Sequence, residues 1–276
     1  MKVTRSAFYA YVQSKAKRER IGESVEAGRV KECFERNRRR YGSRRIAKEL
    51  KIGRFLARRL MREQGLKAIQ PKSFVPRTTD SGHGRRISPN LLKAASEIRE
   101  AGAVLVGDIT YLPLSNGKFC YLATFQDKYT RRIVGWAVMA EMTAELVVRA
   151  LLMALRRGLI AKNAIIHTDR GSQYVSNIYR ELLQQHKLRQ SMSGRGNCYD
   201  NAQAESFFAR FKTELVEDGV FESVEQARSE TFSYIEGYYN RIRLHSSLGY
   251  RSPMEFEKQL KIKQSRSSVS FVSCST

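Results

Sequence analysis

Short apolar runs alternate with amphipathic ones between residues 104 and 191, and no other feature of the chain restricts its fold as strongly. Residues 104–112, 119–126 and 132–139 are β-branched and aromatic runs of strand length. Gly117 marks a hairpin turn between the first two, and residues 127–130 connect the second to the third. An amphipathic helix over 143–157, a buried strand over 164–168, a helix over 177–186 and a short strand over 188–191 follow. Long helices over 199–215 and 223–241 complete the set. Hairpin-linked strands followed by alternating helices and strands predict an α/β fold, a mixed sheet with flanking helices.

The segment ahead of this pattern is helical and basic. Val25, Val30, Phe34, Ile46, Leu50, Phe55, Leu56 and Leu60 recur at helical spacing. Breaks at Tyr41-Gly42-Ser43, where Ser43 can cap a new helix, and at Lys51-Ile52-Gly53 divide it into three short helices. Residues 1–80 hold 23 Lys+Arg against 8 Asp+Glu, whereas the whole chain has a formal net charge of +23. So strong a bias points to a polyanionic partner, nucleic acid before membrane. Arg44, Arg45, Arg58 and Arg59 on the outside of these helices match a helix-turn-helix reader of double-stranded DNA. A basic bundle that touches only phosphate has the same composition.

Pro71, Pro76, Gly82, Gly84 and Pro89 lie among polar residues and predict a linker over 71–100. The Ser-rich stretch 261–276 has few core-forming groups and is expected to be disordered. Cys33, Cys120, Cys198 and Cys274 form no close pair, which argues against a disulfide framework or a cysteine zinc site. With no signal segment and no apolar run of spanning length, a membrane partner is not expected and a cytoplasmic location is.

Three acids stand where chemistry is expected. Asp108 lies near the end of the first strand, Asp169 directly after the fourth, and Glu205 early in a helix. Strand ends that meet loops are the usual ligand sites of sheet-based α/β folds. Carboxylates are hard oxygen ligands suited to Mg²⁺ or Mn²⁺, and two such ions can activate and stabilise the oxygens of a phosphoryl transfer. Each acid also has a structural explanation: a strand-end cap, a turn residue, a helix-surface charge.

The words around the acids settle the comparison. Sixty residues separate Asp108 from Asp169, and 35 separate Asp169 from Glu205. With Asp108-Ile109-Thr110-Tyr111, His167-Thr168-Asp169-Arg170-Gly171-Ser172-Gln173-Tyr174, Asn197-Cys198-Tyr199-Asp200-Asn201-Ala202 and Tyr239-Asn240-Arg241, the chain resembles the OrfB-type transposases of bacterial insertion sequences. These belong to the DDE retroviral-integrase superfamily, and the resemblance implies an RNase H-like integrase catalytic core over 101–260 behind a helical domain over 1–70. It departs from the pattern at Leu105, where relatives often have Trp, and at Leu244, where Pro is common.

The resemblance implies two Mg²⁺ ions, for which Mn²⁺ substitutes, held by Asp108, Asp169 and Glu205. It also implies strand cleavage followed by 3′-OH strand transfer. Lys212, two helical turns after Glu205, is expected to contact terminal DNA, with a solvated helix lysine as the alternative. Asn201, Arg170 and Arg195 are further candidate DNA contacts. His167 is read either as orienting Asp169 or as a satisfied core histidine, and Arg243 with His245 as a polar cluster supporting the site. Expected partners are the element's terminal repeats, target DNA, further copies of the chain, and an upstream-frame (OrfA) product, since residues 1–11 read like the middle of such a fusion. A bacterial, nucleoid-associated location follows. The rival functions are another RNase H-like nuclease and a catalytically silent DNA-binding regulator.

Overall fold

The computed structural model describes the chain except for residues 1–3, 71–86, 93–97, 195–201, 217–218 and 273–276. It divides into two compact units, Met1–Gln70 and Pro71–Thr276.

In the first unit α1 (Arg5–Arg36), α2 (Ser43–Leu50) and α3 (Arg54–Glu63) bury Val30, Cys33, Phe34, Tyr41, Ile46, Ala57, Leu60 and Met61. Three details differ from the sequence reading. The first helix is 32 residues long rather than short. Ser43 is the first residue of α2, and the capping position falls to Gly42. Val25 and Phe55, expected inside, are 57% and 86% exposed. The core of α3 is the narrower Ala57–Leu60–Met61 face, so Phe55 falls outside it. A left-handed Lys51 at φ 56° makes the tight turn between α2 and α3.

The second unit is built on a five-stranded sheet in the order β3-β2-β1-β4-β5. Its strands are β1 (Val104–Pro113), β2 (Phe119–Asp127), β3 (Ile133–Met139), β4 (Ile165–Thr168) and β5 (Arg189–Met192). β1 is antiparallel to β2, and β2 to β3, whereas β4 runs parallel to both β1 and β5. This is the mixed sheet expected from the alternating pattern. Gly117, at φ +75°, closes the first hairpin, where Asn116 accepts a hydrogen bond from the Lys118 amide. At the second turn buried Asp127 accepts the amides of Tyr129, Thr130 and Gly102. Burial raises its pKa, against the pull of those amides.

One face of the sheet is covered by α4 (Ala144–Arg156) and α5 (Asn177–Gln185), which close a core with Leu105, Phe125, Val134 and Ile166. On β3, Ala137 and Met139 turn toward this core, while Trp136 meets Phe232 of α7 (Val224–Phe232). α6 (Ala202–Phe211) packs against β1. Both α6 and α7 continue into π-helical turns, Lys212–Val216 and Ser233–Tyr239. Phe207, Phe211, Tyr234, Tyr238 and Tyr239 interlock between them, mostly edge to face or tilted.

The last helix, α8, runs Pro253–Val272, which corrects the expectation of disorder from residue 261 as far as Val272. No Gly or Pro interrupts it after Pro253, Glu257 pairs with Arg132 at 2.5 Å, and Lys261 reaches the same Glu257 at 3.6 Å. Before the sheet, the expected linker is partly docked. Ser88 donates to Gln190, the Pro89 carbonyl accepts from Met192, and the Leu91 amide donates to Ser191.

Gly135 tests the tightest layer contact, because a Cβ there would lie 2.1 Å from the Ala150 carbonyl oxygen of α4. Overpacking of this kind costs about 1–3 kcal/mol. Gly135→Ala is expected to lower unfolding stability by at least that much in urea titration, whereas Gly53→Ala, with open space around it, shifts the midpoint little.

Candidate active site

Register brings the first two acids together. β1 pairs with β4 as Val104↔Ile165, Leu105↔Ile166 and Val106↔His167. The offset of 61 between paired positions equals the offset between Asp108 and Asp169, which follows β4 directly. Gly107 enables the close packing there. A Cβ on it would meet Phe125 at 2.5 Å and the Thr168 methyl at 3.1 Å. Asp108 accepts a hydrogen bond from the Ile109 amide at 2.8 Å, and Asp169 one from the Gly171 amide at 3.0 Å. Asp108 is thus held within β1 and Asp169 by the loop that follows β4.

Tyr174 is 1% exposed, and among the described residues its hydroxyl has no hydrogen-bond partner. Burial raises its pKa well above that of a free phenol, and the charges of Asp169 and Asp108 raise it further. One buried ring therefore feels both carboxylates. Two neighbouring hard-oxygen donors, with no Cys among them, suit Mg²⁺ or Mn²⁺ rather than zinc.

Glu205 is carried by a different element from this pair. It is exposed on the first turn of α6, and among the described residues no three His, Cys, Asp or Glu side chains gather as a metal-binding group. The helix that bears it nevertheless packs on β1, the strand of Asp108.

Lys212 is not simply paired with Glu205 on one outward stripe. It opens the π-helical turn, its Nζ 3.8 Å from the centre of the Tyr111 ring. Burial lowers its pKa while the charge of Asp108 raises it, so the lysine lies within electrostatic reach of the first acid.

His167 is fully buried between Ser191 (2.8 Å) and Ser193 (3.1 Å), tying β4 to β5 and the loop after it. Arg170 donates through Nε to the Ser193 carbonyl at 2.9 Å, which fastens the loop that begins at Asp169. Asn201 and Arg195 lie outside the described residues. In the helical unit Arg44 and Arg58 are exposed, Arg45 stacks over Tyr41 and Arg59 pairs with Glu63.

Arg243 belongs to the most buried ion pair described. Its guanidinium meets Glu214, in the π-helical turn after α6, through Nη2 at 2.7 Å and Nε at 3.0 Å, and both side chains are 4% exposed. The Tyr234 hydroxyl donates to the same carboxylate at 2.9 Å. Burial by itself lowers the Arg243 pKa, but the hydrogen bonds and charge of Glu214 overcome it and raise the value. His245 packs edge-on against Tyr239 at 4.9 Å and donates its amide to the Arg251 carbonyl. Nothing in the sequence pairs Glu214 with Arg243, because the partners are 29 positions apart. Asn240 was likewise unassigned beyond its motif, although its side chain both accepts from the Ile133 amide and donates to the Ile133 carbonyl.

Removing one member of a buried pair leaves the other charge uncompensated, at about 3–5 kcal/mol. Arg243→Met is expected to lose that stability in chemical denaturation, and Arg243→Met combined with Glu214→Leu to regain much of it. No recovery in the double variant would mean that the pair itself is not the source of the loss.

Comparison with known proteins matches both units. Integrase core domain models match residues 99–198 and 186–253, and an HTH-like domain model matches residues 23–74. The chain is 38% identical over 267 residues to Transposase InsF for insertion sequence IS3A of Escherichia coli (strain K12), covering 94% of this chain and 92% of that one. It is also 38% identical over 262 residues to the insertion element IS600 uncharacterized 31 kDa protein of Shigella sonnei, covering 93% and 96%. A chain of the simian T-cell lymphotropic virus intasome, in complex with PP2A regulatory subunit B56 gamma, aligns at TM-score 0.48 and 14% identity over 78% of this chain and 70% of that one. With its RNase H-like α/β core and helix-turn-helix-like unit, the chain belongs to the insertion-sequence transposases of the InsF type, which carry an integrase core domain.

Proposed function

We propose that the chain is a DDE transposase that cuts DNA at the ends of an insertion sequence and joins the freed 3′-OH to a target. The observation that supports this reading is the β1–β4 register, whose offset of 61 positions is the one that separates Asp108 from Asp169, together with the charge of both acids felt at Tyr174. In this reading Asp108 and Asp169 hold two divalent ions, Mg²⁺ or in its place Mn²⁺, and Glu205 completes the set. When bound, such ions activate the attacking oxygen and stabilise the leaving one in phosphoryl transfer. Few protein ligands suffice, because Mg²⁺ keeps several waters and takes substrate phosphates as ligands.

The chain's own residues do the rest. In the first step water attacks the phosphodiester at the element end, breaking the bond to the 3′ oxygen, which leaves as the 3′-OH. That 3′-OH then attacks a target phosphodiester, forming one P–O bond as another breaks, so no side chain is needed as nucleophile. Lys212, held beside Asp108 over Tyr111, is suited to keep a terminal phosphate near the acids. Arg170 and Ser193 brace the Asp169 loop, and Asn201 and Arg195 are further candidate DNA contacts. The helical unit, residues 1–70, binds double-stranded DNA through Arg44, Arg45, Arg58 and Arg59, with 71–100 as linker. Several copies assemble on the paired ends, with an upstream-frame product as partner or fusion, in the bacterial nucleoid. Among the described residues no helix is long and apolar enough to cross a membrane.

Asp108→Asn, Asp169→Asn and Glu205→Gln are each expected to abolish Mg²⁺-dependent cleavage of element-end duplexes while DNA binding persists. Full cleavage by any one of them would remove that residue from the site. Strand transfer from a pre-cleaved end separates a transposase from a nuclease, which would cut without joining.

A further inference from the structure

Phe55 is the most exposed large apolar side chain among the described residues, at 86%. It sits at the second position of α3, which follows α2 across the tight left-handed turn at Lys51. At 3.6 residues per turn it points away from the Ala57–Leu60–Met61 face that anchors α3. Arg58, Arg59 and Arg62 stand three, four and seven positions on, along the same outward stripe. All three are exposed. An apolar ring at the head of an arginine row does not suit a protein partner that must dehydrate those charges, but it does suit the major groove of a duplex. There the flanking arginines meet phosphates and base edges, and the first turn of a second helix reaches the floor of the groove. The one apolar group on that floor is the thymine methyl, which phenylalanine is suited to contact.

We propose that Phe55 reads a thymine methyl in the duplex bound by the helical unit, and so helps determine which DNA sequence that unit selects. This rests on the reading of the unit as a DNA binder. The ring is outside the core, so its removal leaves the helices packed.

The test uses the full chain and a randomised duplex library. Wild type is expected to enrich a site containing thymine, and replacing that thymine by uracil, which removes only the methyl, to weaken binding about fourfold. Phe55→Ala is expected to bind the thymine and uracil duplexes equally. Arg58→Ala is expected to bind all duplexes more weakly while keeping the thymine preference.

If Phe55→Ala still discriminates thymine from uracil, or changes only the oligomeric state, the inference falls while the unit remains a DNA binder. If wild type enriches no sequence and Arg58→Ala binds as well as wild type, the DNA-binding reading of the unit falls, and the inference with it.

Discussion

The parallel pairing of β1 with β4 is the constraint on which the catalytic half depends. A parallel ladder slipped by one residue would turn every side chain of β4 to the opposite face. It would move Asp169 away from Asp108 and expose the buried run Ile165–Thr168. The register is held on several sides. Gly107 permits Phe125 and Thr168 to close over the strand, and α4 and α5 seal the core around Leu105 and Ile166. His167, bridging Ser191 and Ser193, fastens β4 to its other neighbour. The half-buried carboxylates thus sit beside strands that are held by packing at a distance from them.

Behind α6 the structure changes from apolar to polar reinforcement. The helix bearing Glu205 ends in a π-helical turn whose Glu214 is gripped by Arg243 and Tyr234. A buried ion pair adds little net stability compared with an apolar pair, but it tolerates very few alternative arrangements. This fastens the C-terminal motif to the far end of α6, and gives residues remote in sequence a part in holding that helix.

The strands were readable because apolar runs of strand length and Gly117 are local signals, and β1 to β5 fall within a few residues of the predicted runs. Asp108 and Asp169 were singled out from predicted strand ends and the words around them, and the β1–β4 ladder has the offset that separates them. What escaped depends on distant partners or on finer geometry. Phe55 satisfied a helical period, yet α3 buries a narrower face. Lys212 was placed by counting α-helical turns from Glu205, but a π-helical turn begins at that residue and its Nζ settles on Tyr111. His167 was left between two roles, and its two serine partners satisfy it as a core residue. The helix of α8 beyond residue 260 was hidden by a Ser-rich composition that resembles a disordered tail.

Asn240 has a consequence for how copies of the chain can meet. β3 is an outer strand of the sheet, and an outer strand with free amides and carbonyls invites a strand from another molecule. Here Asn240 occupies both backbone groups of Ile133, Arg157 reaches the Val134 carbonyl and Arg228 the Val138 carbonyl. These side chains stand in for part of the missing neighbour. Pairing of a further strand along this margin would have to displace them.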